Sequence, residues 1–246
     1  MDVETWRVVL IAIVTLGASY VQSVTGFGFG IVAMIFLPSL LLYTEANLLS
    51  TILSTITSLV VVFAMYRKIH WKNLIFPLIG SVITNYLAVT FVKSAKNETL
   101  TLLLGIMLFV LSVYFFFFSD KIKIRASWYA GLIAGLISGV MGGLFSIGGP
   151  PVVIYYMQSE EDTEGYLATI SAYFVLSGVA SVLMKALSGF MTGNVWWGLA
   201  VGVLGMAVGA LFGKFTREKV KPNVIKKAVY AIMAISGLVN VIASLP

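Results

Sequence analysis

The chain of 246 residues contains no cysteine and a single histidine, His70. Without cysteine it has no disulfide bond, no thiolate metal site and no cysteine nucleophile. One imidazole is too few for a cluster of histidine ligands around a metal ion. Charged residues make up 11% of the sequence, against about 25% in soluble proteins. A soluble domain is therefore excluded, and we expect no catalytic residues, no metal site and no cofactor.

Long apolar runs take the place of the missing charge. Hydrophobic residues account for 59% of the chain, and its mean hydropathy is +1.00. Residues 99–118 include no charged side chain, and a helix of about 20 such residues crosses the hydrocarbon core of a bilayer. The sequence therefore predicts an all-α, polytopic membrane protein whose outer surface contacts lipid.

The net charge of +6 fits such a protein without a nucleic acid partner, which we do not expect. Lysine and arginine concentrate in the cytoplasmic loops of membrane proteins. Here they cluster between the apolar runs: Arg67, Lys68, Lys72, Lys121, Lys123, Arg125, Lys214, Arg217, Lys219 and Lys221.

Two apolar runs, residues 31–43 and 151–157, are too short to cross a membrane alone. Each follows a segment rich in glycine or proline. We call residues 25–30 (TGFGFG) the first break and residues 146–151 (SIGGPP) the second break. Glycine raises the cost of helix formation, and proline removes a hydrogen-bond donor and clashes with the preceding turn. A helix is therefore predicted to stop inside apolar sequence at both places.

The breaks are also the first landmark of an internal duplication. Gly26 and Gly148 lie 122 positions apart, and three further matches follow in the same order at offsets that grow slowly to 126. Small insertions in a true duplication would produce such a drift. We therefore predict two repeats, residues 1–120 and 121–246, that together form one transport domain. The further matches are Leu53–Ser58 with Leu176–Ser181, Trp71 and Gly80 with Trp196 and Gly205, and Ile106-Met107 with Ile232-Met233.

The basic loops favour one topology. If each break turns the chain back as a hairpin, the loops at 67–73, 119–126, 158–165 and 214–223 share one side, which the positive-inside rule assigns to the cytoplasm. If each break were only a kink in one span, the basic loop at 214–223 would face the opposite side. The hairpins predict two inverted repeats, each a broken-helix re-entrant hairpin plus three transmembrane helices. Transporters often have this design.

A helix that stops within a membrane leaves backbone groups unpaired, and these must line a cavity or bind a ligand. The N-terminal end of such a helix carries partial positive charge and free N–H donors, which suit an anion. We therefore expect a substrate site between the two breaks, with amide donors from neighbouring spans. The candidate substrate-binding residues are Gln22, Thr25, Gly26, Phe27, Gly28, Asn85, Ser146, Ile147, Gly148, Gly149 and Pro150.

Other polar and small residues have simpler interpretations. Glycines spaced by four and seven residues fit helix packing. Lys185 lies near a span end, where a lysine reaches the membrane surface, and Glu45 lies at a helix start, where a carboxylate offsets the helix dipole. No buried carboxylate is evident, which disfavours a cation as the solute. The arginines, Arg7, Arg67, Arg125 and Arg217, lie at span ends or in loops, so we expect helix ends rather than a buried cation to hold the solute. The packing glycines are Gly131, Gly135, Gly139, Gly198, Gly202 and Gly209.

The two breaks, with Gln22-Ser23-Val24 before the first and Gly142-Gly143-Leu144-Phe145 before the second, resemble the paired signatures of the TauE/SafE sulfite exporter family. The resemblance extends over nearly the whole chain. It implies a multi-pass protein of the bacterial inner membrane that exports sulfite, sulfoacetate or another sulfur-containing anion.

The leading hypothesis is a secondary transporter of a small anion, coupled to protons or to the membrane potential. No nucleotide-binding pattern of the Gly-x-x-x-x-Gly-Lys type is present, so ATP is not expected to drive it directly. The alternative is an anion channel, which needs a continuous pore instead of alternating access. A homodimer is compatible with either.

Overall fold

The fold comes from a computed structural model that describes residues 3–117, 125–216 and 222–243. Every regular element in these ranges is helical, with short 3-10 turns at 37–39, 66–68 and 71–74. The α-helices are α1 (Val3–Thr25), α2 (Phe29–Phe36), α3 (Tyr43–Met65), α4 (Ile75–Ser94), α5 (Asn97–Phe117), α6 (Trp128–Phe145), α7 (Gly149–Ser159), α8 (Thr163–Leu187), α9 (Gly193–Thr216) and α10 (Pro222–Ala243).

Seven of the described helices are long and apolar enough to cross a membrane: α1, α3, α4, α5, α6, α8 and α9. The α2 region and residues 227–242 of α10 are apolar but shorter. Large apolar side chains cover the outside of the bundle, among them Phe63, Trp197 and Phe215. The prediction of an all-α, polytopic membrane protein is confirmed.

Both predicted breaks are present, and each contains at least one residue in the left-handed backbone region, which costs energy for a residue other than glycine such as Ser146. Between α1 and α2, Gly26 and Gly28 have φ angles of 83° and 106°, a region that glycine occupies without steric cost. Between α6 and α7, Ser146 has a φ of 58°, and Pro150 follows in the first turn of α7. Local chemistry therefore ends both helices where the sequence predicts.

The expected packing glycines lie at close helix crossings. A Cβ atom at Gly135 would overlap the backbone of Pro77 in α4, and one at Gly209 would overlap the backbone of Leu16 in α1. The same holds for Gly139 against Ser81. Small residues let α6 pack closely on α4 and α9 pack closely on α1, as is usual between membrane helices. Gly131, Gly198 and Gly202 lie against the side chains of Tyr155, Leu49 and Leu53.

The order of contacts gives the relative directions of α3 and α8. Lys185, near the end of α8, bonds to Thr51 near the start of α3, whereas Thr169, near the start of α8, bonds to His70 just beyond the end of α3. The two helices are therefore antiparallel. Hairpins at the breaks require this direction, and simple kinks would make α3 and α8 parallel. The inversion of the two repeats across a membrane stays a prediction.

A polar cluster joins two loops at one end of the bundle. The backbone N–H of His70 donates to Thr169, the His70 ring pairs with Glu160, and the Asn73 amide donates to Glu160 over 2.9 Å. The loops at 67–73 and 158–165 thus lie at the same end, as the topology requires. Most of the loops at 119–126 and 214–223 falls outside the described residues.

Glu45 corrects the expectation that no carboxylate is buried. It has an exposed fraction of 2% and accepts hydrogen bonds from Leu42 N–H, Thr192 Oγ1 and Asn194 Nδ2 at 3.1, 2.7 and 3.0 Å. The last two donors lie at the start of α9, so Glu45 caps its own helix and also joins α3 to the α8–α9 loop. Glu160 is likewise buried. Thr192 and Asn194 lie far from Glu45 in the sequence, so these hydrogen bonds become evident only in the folded structure.

Replacing Glu45 with alanine is expected to lower the free energy of unfolding by about 1.5–3 kcal/mol, because three donors lose a charged acceptor. Glu98 in the first turn of α5 is exposed, so Glu98→Ala is the matched control and should change stability little. Thermal unfolding of the purified variants in detergent measures the difference. Equal shifts for both variants would show that the Glu45 contacts contribute nothing to stability.

Candidate functional site

The two breaks meet inside the bundle. A Cβ atom at Gly30, in the first turn of α2, would overlap the carbonyl oxygen of Ser146 in the second break. The side chain of Ser146 bonds in turn to Thr51 of α3 over 2.9 Å. Residues that are 116 positions apart are therefore in backbone contact, as the proposed site between the breaks requires.

A cavity lies between the breaks, and we call it the break cavity. Its volume is about 60 Å³, which is room for about two water molecules at the volume that water occupies in the liquid. Eight of the eleven predicted site residues line it: Gln22, Phe27, Gly28, Ser146, Ile147, Gly148, Gly149 and Pro150. The remaining lining residues are Phe29, Gly30, Ile31, Ser54 and Phe174.

A second cavity of about 60 Å³ adjoins the first, and we call it the hydroxyl cavity. Ser54, Ser146, Gly148 and Phe174 line both cavities. Asn85, predicted from its position in the middle of a span, belongs to this second cavity. Serine and threonine dominate the rest of the wall, which consists of Thr51, Thr55, Ser81, Ser138, Gly142, Tyr173, Ser177, Gly178 and Ser181.

Two predicted site residues, Thr25 and Gly26, line neither cavity. The Thr25 hydroxyl lies 2.8 Å from Val21 O and 2.6 Å from Phe27 O, so the side chain bonds to its own turn. The Gly26 N–H donates to Gln22 O over 2.8 Å. Both residues shape the end of α1, and the structure does not bring them to the space between the breaks.

The first turn of α2 supplies free donors to the break cavity. The N–H groups of Phe29, Gly30 and Ile31 have no acceptor within their own helix, because the first three residues of a helix precede its hydrogen-bond ladder. Val32 N–H donates to Gly28 O over 3.1 Å. All three free N–H groups belong to residues that line the cavity, so the end of α2 suits an anion.

The first turn of α7 is poorer in donors than the sequence comparison of the two breaks suggested. Pro150 and Pro151 have no N–H group. In the first turn of α7, only Gly149 and Val152 therefore have a backbone N–H donor. The α7 end still has the partial positive charge of a helix N-terminus. Direct hydrogen bonds from the backbone therefore come mainly from α2.

The two buried amides, Gln22 and Asn85, are incompletely bonded. Gln22 Nε2 donates to Ser58 Oγ over 3.1 Å, and Asn85 Nδ2 lies 3.5 Å from Gly139 O. Their carbonyl oxygens are buried without a hydrogen-bond partner among the described residues. Each amide has two N–H donors. Rotation of the terminal carboxamide by half a turn exchanges its nitrogen and oxygen, so the N–H donors then point where the oxygen points now. Both side chains can thus serve a ligand in the adjoining cavities.

Lys185 is the buried charged residue beside the cavities that sequence reasoning placed wrongly. Its side chain is fully buried, and Nζ donates to Thr51 Oγ1 over 2.7 Å and to Gly142 O over 3.1 Å. The expectation that it reaches the membrane surface is wrong. Helical side chains tilt toward the N-terminus of their helix, so a long side chain near the end of α8 extends back into the bundle. Ser181 and Ser177, one and two turns earlier, form a polar stripe with Lys185 that could have indicated its direction.

Comparisons with known proteins agree with this architecture. The sequence profile described as sulfite exporter TauE/SafE matches residues 11–239. The probable sulfite/organosulfonate exporter TauE of Cupriavidus necator is 25% identical over 226 residues, which cover 89% of this chain and 88% of that protein. No solved structure matches the chain. Because the profile match extends over nearly all of its length, the chain belongs to the sulfite exporter TauE/SafE family.

Proposed function

We propose that the chain is a secondary transporter that exports a small sulfur-containing anion, such as sulfite, sulfoacetate or another organosulfonate, across the inner membrane of a bacterium. The anion binds between the two breaks. The observation that carries this proposal is the break cavity, which is lined both by the first turn of α2, whose N–H groups have no acceptor within the helix, and by the second break. The printed name of the Cupriavidus necator relative, a bacterial protein, supports the substrate class.

The cavity chemistry favours an anion over a cation. Backbone N–H groups at a helix N-terminus and serine or threonine hydroxyls donate to oxyanions. Carboxylates, which a cation would need, do not line either cavity. A cavity of about 60 Å³ is small and suits a compact oxyanion such as sulfite. Sulfoacetate is larger and would occupy both adjoining cavities.

Both predicted repeats contribute to the site, which supports alternating access. The first break belongs to residues 1–120 and the second to residues 121–246, so motion of one repeat against the other would open the cavity to either side in turn. Sites at the contact between repeats are common in secondary transporters. We propose protons or the membrane potential as the driving force. A homodimer stays a prediction.

Uptake by proteoliposomes tests the function. The panel is sulfite, sulfoacetate, taurine, sulfate and chloride, each with and without a pH gradient. We expect saturable uptake of sulfite and, less efficiently, of sulfoacetate, because the site is small and suits oxyanions. Acceleration by the gradient would identify proton coupling. Chloride flux that does not saturate would support the channel instead, and no flux of any sulfur-containing anion would overturn the proposal. Empty liposomes are the control.

A further inference from the structure

We propose that Lys185 supplies the fixed positive charge of the substrate site, and that the hydroxyl cavity is the subsite for the oxyanion head group of the solute. This inference rests on the proposed anion transport for its substrate. It changes the physical account of binding, because helix ends supply only partial charges, whereas a lysine ammonium neutralises a monoanion and offsets half of the charge of a dianion such as fully ionised sulfite.

The first argument is charge balance. The Lys185 side chain has no exposed surface, and both of its hydrogen-bond partners, Thr51 Oγ1 and Gly142 O, are neutral oxygens. Within the described part of the chain no carboxylate lies within 4.0 Å of its Nζ atom. The buried Glu45 and Glu160 bond to other partners. A buried charge is costly unless it is paired, so the site favours a ligand that brings the opposite charge.

The second argument is position. Thr51 and Gly142, which hold the ammonium group, both line the hydroxyl cavity. Ser181 lies one turn before Lys185 on α8 and also lines it. The Ser181 hydroxyl is buried and has no hydrogen-bond partner among the described residues. A buried hydroxyl without a partner in the cavity wall indicates a ligand that accepts its hydrogen bond, and the nearby Lys185 charge, held by Thr51 and Gly142 of the same wall, favours an anion.

The third argument is donor capacity. An ammonium group has three N–H donors, and the structure accounts for two of them. The Thr51 hydroxyl accepts one of these bonds and lies 2.8 Å from Asn47 O and 2.9 Å from Ser146 Oγ. Thr51 therefore connects Lys185 to the second break through Ser146, which lines both cavities. Lys185 itself lines neither cavity, so an oxyanion in the hydroxyl cavity would accept hydrogen bonds from Ser146 and Ser181, and the Lys185 charge would attract it across Thr51.

Lysine also suits a transporter that accepts several anions. Its ammonium group is a compact charge on a flexible stem, whereas arginine presents a rigid fork that fits one geometry best. Sulfite and sulfonates share three oxygens on sulfur but differ in their fourth substituent. The lysine can follow the oxygens, and the substituent can extend past Ser54 and Phe174 into the break cavity.

The test compares Lys185→Met, which keeps the length of the side chain without its charge, with Lys185→Arg, which keeps the charge. Lys93→Met is the control, because Lys93 is exposed near the end of α4. The readouts are the KM for sulfite uptake and the sulfite-induced thermal shift of the purified protein. Lys185→Met should raise KM about tenfold or more, the scale of a lost charged hydrogen bond, and remove the thermal shift. Lys185→Arg should retain part of both, and Lys93→Met should behave as wild type.

Ser181→Ala keeps the proposal testable if the lysine variants do not fold, since no described residue bonds to this hydroxyl. It should raise the KM for sulfite about two- to tenfold and leave stability unchanged. A wild-type KM in Lys185→Met, or in Ser181→Ala, would overturn this inference while wild-type transport stands. If the wild-type protein moves none of the sulfur-containing anions, the proposed function fails instead.

Discussion

Replacing Gly30 with alanine is expected to abolish anion uptake. The added methyl group would overlap the backbone carbonyl of Ser146, and a backbone atom cannot turn aside as a flexible side chain can. The first turn of α2 would have to move away from the second break. The three free N–H groups of that turn would then leave the break cavity, and the backbone contact between the two breaks would be lost.

Gly17→Ala is the matched control for this variant. Gly17 lies within α1, and an added Cβ atom there has no neighbour within 4 Å. Alanine is favoured over glycine in a helix by about 1 kcal/mol, so Gly17→Ala should be at least as stable as wild type and fully active. The measurements are sulfite uptake in proteoliposomes and the amount of folded protein in the membrane. Wild-type uptake by Gly30→Ala would contradict a site between the breaks.

The breaks could be predicted from sequence because their causes are local. Glycine at positions 26 and 28 permits the left-handed backbone that ends α1, and proline at 150 and 151 suits the first turn of α7. Neither effect depends on a distant residue. Most of the residues that line the break cavity could therefore be named from the sequence, since a cavity between the breaks is lined by the residues that form them, and their binding of a substrate stays a prediction.

The hydroxyl cavity could not be predicted in the same way. Thr51, Ser138 and Ser181 lie on three different helices, and each occurs in apolar sequence where serine and threonine often bond to their own helix. In a membrane protein the lipid-facing and inward-facing sides of a helix are both apolar. Hydrophobic periodicity therefore does not reveal which side faces the interior, and the inward direction of Ser181 depends on the packing of α8 against α3.

Lys185 and Glu45 show that the burial of charged residues is also difficult to predict from the sequence. Both lie within one turn of a helix end, where sequence reasoning expects contact with water. Lys185 extends back into the bundle, and Glu45 accepts hydrogen bonds from the α8–α9 loop. The distance of a charged residue from a span end is thus a weak guide to its burial. Both residues bond to at least one partner more than a hundred positions away in the sequence.

Single cysteines at Lys68 and Gly193 are expected to react from opposite sides of the membrane. These positions correspond in the proposed duplication, at the offset of 125 that relates Trp71 to Trp196. Lys68 lies in the loop that also contains His70, at the end of the bundle where Glu160 is bound. Gly193 starts α9 at the other end, next to Thr192, which bonds to Glu45. Inverted repeats place corresponding loops on opposite sides, whereas a parallel duplication places them on the same side.

The measurement is labelling of each variant with a membrane-impermeant maleimide, in spheroplasts and in inside-out vesicles. The wild-type chain is a blank control because it contains no cysteine. Both positions are exposed, and a Cβ atom at Gly193 has no neighbour within 4 Å, so neither substitution should disturb the fold. Since basic loops face the cytoplasm, Gly193→Cys should react in spheroplasts and Lys68→Cys only in inside-out vesicles. Reaction of both variants from the same side would show that the two halves are not inverted, and a site between opposed breaks would then lose its structural basis.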